Sequence, residues 1–519
     1  MSRSRSFLGG ALFAYVYQAA LMLVGLWLTP FYIHTLGERD YGIWLVGLAV
    51  LNFLLLCDFG VIVVTPRDVA NASGIEHSEA GSGEVARVVG QTLKVVLVQT
   101  GLIALAALVL FFLRPAHDVE LRGPVGLILT VFVISYPMRV FPAVLQGLQD
   151  LKFLGQLRLT LWGVSTALVV VMLLLGGRFY ALAGGWCVQQ MGHDLVAYFR
   201  LRRSRPDLLP SKIWRQAGPL RWRWFARGFW VNVSQLATQL VAGSDVLIVG
   251  RSIGVATVVI YSSTSKLITV LQNQPQILAS VALPGISHMK TSESRERILG
   301  ATTSLTQAML LLAGGVFCII LAINQQFVTW WLRRLPAGGA HFFGGMPLTV
   351  ILLLTFLLRQ ADYTLAVTLF AFGHEKWLSI KALIDGAVSV AIAFLLVGHW
   401  GMPGVACGFL CGAAFVSIPA DFLLFTRTLQ VSGSELSRPY LPYLWRFAVV
   451  GCAALAIRNW FGAPNLAHIV VTTSLTGLLY LLLVMPYVWT TPLRGYIQRA
   501  TAPLASSMRT RMLGWSGKA

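Results

Sequence analysis

The sequence predicts an all-α integral membrane protein with about 14 transmembrane helices: two six-helix parallel-repeat lobes followed by two C-terminal helices. Three observations carry this reading. Only 12% of the 519 residues are charged and 56% are hydrophobic, whereas soluble domains carry about 25% charged residues. The apolar residues are gathered into runs of about 20, the length a helix needs to cross hydrocarbon. The Lys and Arg content of the segments between runs alternates from high to low, as it does when successive loops face opposite sides of a membrane.

The runs lie near residues 9–33, 41–64, 89–113, 124–147, 153–175, 179–199, 224–250, 254–283, 300–323, 346–371, 376–398, 402–426, 441–461 and 466–490. The first follows Arg3 and Arg5 and lacks a small-x-small cleavage pattern, so it reads as a retained span rather than a signal peptide. With the N-terminus inside, 28 basic residues fall on the cytoplasmic side and 8 on the outer side. The outer set is Arg39, Arg114, Arg122, Arg178, Arg251, Arg333, Arg334 and Arg458, and both termini are expected in the cytoplasm. Lys94, Arg139, Lys266 and Arg359 lie within runs. Lys94, Arg158, Lys381, Asp194 and Asp385 read as interfacial residues near the inner ends of theirs.

The expected organisation is an N-terminal lobe (1–199), a basic cytoplasmic linker (200–223), a second lobe (224–426), two extra helices (427–490) and a basic tail (491–519). The Trp and Arg pattern of the linker, "RLRRSRPDLLPSKIWRQAGPLRWRWFARG", suits a helix lying on an anionic leaflet. The halves echo each other. Gly37 precedes Trp44 as Gly254 precedes Tyr261, an offset of 217, and Lys152-Phe153 matches Lys376-Trp377 at an offset of 224. Repeats of six spans each would be parallel, related by an axis along the membrane normal.

Several function classes fall away. The net charge of +20 does not point to nucleic acid, because the basic residues sit between apolar runs rather than along one face. The six cysteines all lie inside apolar runs, with no spacing that suggests a metal site; they read as small buried hydrophobes. No GxxxxGK[ST] stretch is present, which argues against ATP hydrolysis. The outer loops are short, and the longest, near residues 324–345, has no acidic residue, which argues against a membrane glycosyltransferase or polymerase. No cofactor is expected.

The stretch from "LTPFYIHTLGERDYGIWLV" to "CDFGVIVVTPRDVA" resembles the start of Wzx-type polysaccharide flippases, which handle O-antigen and related oligosaccharides within the multidrug/oligosaccharidyl-lipid/polysaccharide exporter group. The resembling residues are Leu36-Gly37, Tyr41-Gly42-Ile43-Trp44, Asp58-Phe59-Gly60 and Arg67. In the second half the similar pattern runs through Asp245, Gly254, Tyr261 and Lys266-Leu267, with Val259 where a glycine is common. The resemblance implies movement of an undecaprenyl-pyrophosphate-linked sugar across a bacterial inner membrane by alternating access. It also implies contact with anionic lipids and the company of a polysaccharide polymerase and chain-length proteins. A cation-coupled drug or small-molecule exporter of the same fold is the rival reading.

A pyrophosphate needs positive charge along its path. Arg139 and Arg359, 220 residues apart on the fourth and tenth runs, and Lys266 in the eighth are the expected substrate-binding residues. Arg139 lies between Pro137 and Pro142, which kink or unwind a helix and free carbonyls beside a path. Asp362, one turn from Arg359, is the expected partner that could withdraw it. Asp58 interrupts an apolar run and reads as a structural acceptor for Arg67 or for a neighbouring helix, with a coupling-ion site as the alternative. Asp245 is expected to be structural.

Overall fold

The computed structural model describes residues 3–54, 60–76, 83–112, 119–209, 223–276, 294–460 and 464–491, together with 279, 282, 286, 289 and 494. Every regular element among them is helical, as the bilayer demands of a chain that must satisfy its backbone internally. Two compact units divide the chain, Met1–Gln239 and Leu240–Ala519.

The first unit holds α1 (Arg3–Leu36), α2 (Glu38–Leu54), α3 (Val61–Glu76), α4 (Glu84–Phe112), α5 (Val119–Ser135), α6 (Val140–Gly147), α7 (Leu151–Leu174) and α8 (Arg178–Ser204). The division falls within α9 (Arg223–Ser252), beyond the basic linker. The second unit continues with α10 (Val255–Leu271), α11 (Arg295–Trp331), α12 (Met346–Ala371), α13 (Glu375–Trp400), α14 (Met402–Gly412), α15 (Ile418–Leu429), the short α16 (Gly433–Ser437), α17 (Leu441–Trp460) and α18 (Leu466–Thr490).

Twelve helices among the described residues are long and apolar enough to span a membrane, and each coincides with one of the expected runs. The other two runs behave differently. The described part of the second ends at Leu54 and resumes with α3. The sixth forms α8, which is long enough at 27 residues but carries Gln189, Gln190, His193 and Asp194 in its middle. The helix of the ninth run is longer than its apolar core: α11 has 37 residues, roughly 55 Å at 1.5 Å per residue, well beyond the ~30 Å of a hydrocarbon layer.

The echoes of the sequence reappear as backbone geometry. Gly37 and Gly254, at the α1–α2 and α9–α10 turns, both have positive φ (84° and 142°). Gln149 (φ 64°) ends α6 as Gly373 (φ 86°) ends α12, 224 positions later. The hydrogen bonds match as well. Gln149 N–H donates to the Gln146 carbonyl and Asp150 N–H to that of Leu145, just as Gly373 donates to Phe370 and His374 to Leu369. This is the six-to-one closure of a Schellman-type helix end. Each unit thus turns from its fourth span into its fifth in the same way.

Each unit has its own core. In the first, Val69, Val89, Val96, Ile103, Phe132, Tyr136, Val144 and Leu201 pack α3, α4, α5, α6 and α8 together. In the second, Ala313, Cys318, Leu353, Val450 and Val484 join α11 and α12 to α17 and α18. The last two helices are also pinned by hydroxyls. Tyr443 Oη donates to the Leu310 carbonyl at 2.5 Å, Tyr480 Oη donates to that of Leu311 at 2.6 Å, and the two hydroxyls lie 2.8 Å apart. Gly314 leaves the space for this approach: a Cβ there would run into the Tyr443 hydroxyl.

Candidate functional site

In the first unit the prolines around Arg139 act as expected. The span unwinds into a 3-10 turn over Tyr136–Arg139 before α6 resumes, so Arg139 occupies the break itself. Its guanidinium lies 5.6 Å from the centre of the Tyr136 ring, a cation–π distance. Tyr136 in turn reaches Gln99 Oε1 on α4 at 3.3 Å. The run that holds Arg139 (124–147) carries no acid, but Asp194 on α8 is 1% exposed and lies close enough to feel the charge of Arg139. Asp194 also accepts from Gln190 Nε2 at 3.2 Å and lies 3.3 Å from His193 Nδ1. It is therefore a buried polar centre, not an interfacial residue.

In the second unit Lys266 lies near the middle of its 22-residue span, half-buried. No hydrogen bond or ion pair engages its ammonium among the described residues. Lys266 has too short a stem to reach either end of the span by snorkelling. One residue pair away, Thr264 ties α10 to its neighbours. Its hydroxyl accepts from Gly344 N–H at 2.7 Å, and its carbonyl accepts from Asn324 Nδ2 at 3.0 Å. Asn324 Nδ2 also reaches Thr349 Oγ1 at 3.1 Å. These bonds hold α10, α11 and the start of α12 as one frame behind Lys266.

Arg359 is a different matter. Its Nη2 donates to Asp385 Oδ1 at 3.0 Å and its Nη1 donates to Asp385 Oδ2. Asp385 also accepts from Ser389 Oγ at 3.2 Å and from Ser417 Oγ at 2.7 Å. Ser417 closes a single π turn, Ala413–Ser417, between α14 and α15. Such turns interrupt helices where a side chain must be re-aimed. Arg359 is thus gripped on both Nη atoms. Its partner is Asp385 on α13 rather than Asp362 on its own helix.

Asp362 instead faces Lys381. Lys381 Nζ lies 3.2 and 3.0 Å from the two oxygens of Asp362 and 2.8 Å from Asp421 Oδ2. Lys381, Asp362, Asp385 and Asp421 are 6%, 8%, 2% and 0% exposed. The interfacial reading of Lys381 and Asp385 is therefore overturned. Both lie where α13 meets α12 and α15, packed too closely for water to reach. A Cβ at Gly412 would strike Ser389 Oγ and Asp385 Oδ1, which shows how tightly α14 is set against α13. A signal was present in the sequence: Lys381, Asp385 and Ser389 recur every four residues along one face of a helix.

Asp245 sits on α9 with Oδ1 accepting from Val246 N–H at 2.8 Å, and Tyr261 on α10 lies near enough to interact with it electrostatically. Both residues belong to the second-half motif. Asp58 lies outside the described residues. Arg67 is exposed on α3, and its expected pairing with Asp58 likewise falls outside them. At the chain surface Arg178 joins Asp40 (2.6 Å) and Glu120 (3.2 Å), bracing the first turns of α2, α5 and α8.

The model of the family described as "Polysaccharide biosynthesis protein" matches residues 7–290. The "Uncharacterized membrane protein EpsK" of Bacillus subtilis (strain 168) is 21% identical over 479 residues, covering 88% of this chain and 89% of its own length. Among solved structures, the lipid II flippase MurJ in an inward closed conformation is similar with a TM-score of 0.67 at 12% identity, covering 92% of this chain and 99% of its own. An inward-facing multidrug resistance MATE transporter of the MOP superfamily is similar with a TM-score of 0.61 at 15% identity, covering 80% of this chain and 98% of its own. These likenesses establish the fold. This multi-pass membrane chain, with the fold shared by those flippases and exporters, belongs to the polysaccharide biosynthesis protein family.

Proposed function

We propose that the protein is a flippase that carries an undecaprenyl-pyrophosphate-linked oligosaccharide across the bacterial inner membrane by alternating access of its two units, with both termini in the cytoplasm. The observation that carries this reading is Lys266, an ammonium in mid-span with no partner among the described residues. An unpaired cation at that depth is expensive, and an anion passing through is the occupant that would offset its cost. Arg139 is the second anion-binding residue in this reading. It stands at an unwound turn, where a short displacement of the chain would re-aim the guanidinium. Arg can hold phosphate oxygens in pairs, whereas Lys acts as a point charge. Family membership supports a sugar polymer as the destination of the cargo, and the parallel turns of the two units support a repeat-based transport cycle. Anionic lipids at the basic linker, and a polymerase with chain-length proteins downstream, complete the proposal.

Reconstitution tests it. Proteoliposomes containing the purified chain and a lipid-linked oligosaccharide should expose the sugar to an external lectin faster than protein-free vesicles. Equal rates in the two preparations would refute the assignment. Export of a cationic dye by the same vesicles, with no movement of the lipid-linked sugar, would establish the exporter instead.

A further inference from the structure

The buried charges of the second unit do not balance. Arg359 is charge-paired with Asp385, which also receives the hydroxyls of Ser389 and Ser417, so the two charges of that pair offset each other. What is left is one ammonium, Lys381, against two carboxyl groups, Asp362 and Asp421. Both carboxyls stand within 3.2 Å of the same ammonium. One oxygen of Asp421, Oδ2, receives the Lys381 Nζ; the other, Oδ1, is buried and has no hydrogen-bond partner among the described residues. A fully ionised trio would leave a net negative charge in a region closed to water, at a cost of several kcal/mol. Two carboxyls in one site do not both ionise under such conditions.

We infer that Asp362 and Asp421 share one proton, held over Lys381 between α12, α13 and α15, and that this pair is a proton-binding site of the second unit. Among the described residues, Lys381 is the one basic group in ion-pair contact with the two carboxyls; Lys266 on α10, a helix that also packs on α12, makes no such contact. From α12 the charged neighbour is Arg359, and from α13 it is Asp385; each is held by the other. The titratable side chains of α14, Cys407 and Cys411, interact with one another. From α11 the groups bonded to α12 are the neutral hydroxyls of Thr302 and Thr306, which meet Thr368 and Thr364. From the segment after α10 it is the Gln272 carbonyl, which accepts from Gln360. Arg295 of α11 reaches instead to the Gln430 carbonyl beyond the end of α15.

The exchange is a simple transfer. Once the packing of α12 against α15 loosens, the carboxyl O–H gives its proton to an entering water, both carboxylates become anionic, and Lys381 alone remains to compensate them. That state favours separation of α12 from α15 or entry of a cation. The site thereby offers a means of coupling a proton to the cycle proposed above, but its existence does not depend on the cargo.

Infrared spectroscopy of the purified full chain in nanodiscs tests it without transport. At neutral pH in choline chloride the wild type should show the C=O stretch of a protonated carboxylic acid, shifted in D2O. Asp421→Asn and Asp362→Asn should each abolish it, while Asp207→Asn, an exposed residue paired with Arg205, should leave it intact. If either variant does not fold, the wild type with 13C-labelled aspartate decides alone: the labelled band must be present at neutral pH and lost on alkaline titration. Absence of the band, or its persistence in both variants, overturns the inference. So does its disappearance when sodium chloride replaces choline chloride at constant pH, which would make this a cation site. Failure of the sugar-flipping assay with the band intact would remove the cargo assignment and leave the proton site standing.

Discussion

Arg359 and Asp385 grip each other across α12 and α13, one Nη on each carboxylate oxygen. The pair is enclosed: the arginine side chain is 20% exposed and the aspartate side chain 2%. Removing one member of a buried pair leaves an uncompensated charge, at a cost of about 3–5 kcal/mol, whereas replacing both by apolar residues is often close to neutral. Arg359→Ala should therefore lower the yield of folded protein and its thermal midpoint in detergent. Arg359→Met with Asp385→Leu should recover most of the loss. Full stability of Arg359→Ala with transport abolished would place this arginine on the substrate path.

The docking of the last two helices offers a second test. Tyr443 reaches the Leu310 carbonyl over Gly314, in space that a single methyl would fill. Gly314→Ala should destabilise the second unit by about 1–3 kcal/mol through overpacking. Tyr443→Phe alone should cost about 1 kcal/mol for its lost hydrogen bond. Combined, the two should cost less than their sum, because removing the Tyr443 hydroxyl relieves the tightest clash and leaves only the Tyr480 hydroxyl in the way. Strict additivity in thermal unfolding would show that α17 does not depend on this approach.

The paired turns make a cleaner prediction. A Cβ at Gly373 meets nothing within 4 Å, so any penalty there comes from the positive φ alone. Left-handed backbone costs an L-residue roughly 1–2 kcal/mol, with Asn among the more tolerant. Gly373→Asn should therefore lower the thermal midpoint less than Gly373→Val. The equivalent Gln149, already non-glycine in that conformation, should follow the same rank when changed to Asn or Val. Equal effects of Asn and Val at Gly373 would mean that the turn relaxes.

Much of the fold was legible because the bilayer makes length and apolarity nearly sufficient: helices α10, α12 and α13 start within a residue of the runs that announced them. Asp194, Lys381 and Asp385 were misplaced for the same reason. Depth along a helix can be counted from sequence, but the facing of a side chain toward lipid, interface or neighbour cannot. Arg359 illustrates the point. Its same-helix candidate, Asp362, was visible at one-turn spacing, yet both residues chose partners on α13, and that pairing depends on how three helices pack. Asp421 gave no local hint at all, since its partners lie 40 and 59 positions away.

Lys266 and Arg139 provide the last prediction, which bears on the proposed cargo. If Lys266 meets a pyrophosphate as a point charge, Lys266→Arg should keep a substantial part of the flipping rate, since a cation of similar reach remains. Lys266→Ala should lower the rate at least tenfold without lowering stability, because an unpaired mid-span cation contributes nothing favourable to the fold. Lys266→Met, of similar length and fully apolar, should even raise the thermal midpoint while abolishing flipping. That opposition of effects separates a binding role from a structural one. Arg139 should behave otherwise: Arg139→Lys keeps the charge but loses the paired phosphate geometry, so it should impair flipping clearly, and Arg139→Ala should nearly stop it. Arg139 also touches Tyr136 and acts on Asp194, so its alanine variant should lose some stability, which Asp194→Asn should partly restore. Unaltered flipping in the Lys266→Ala, Arg139→Ala double variant would refute the basic path. Loss of stability in Lys266→Met, with flipping reduced only in proportion to folded protein, would make this lysine part of the scaffold.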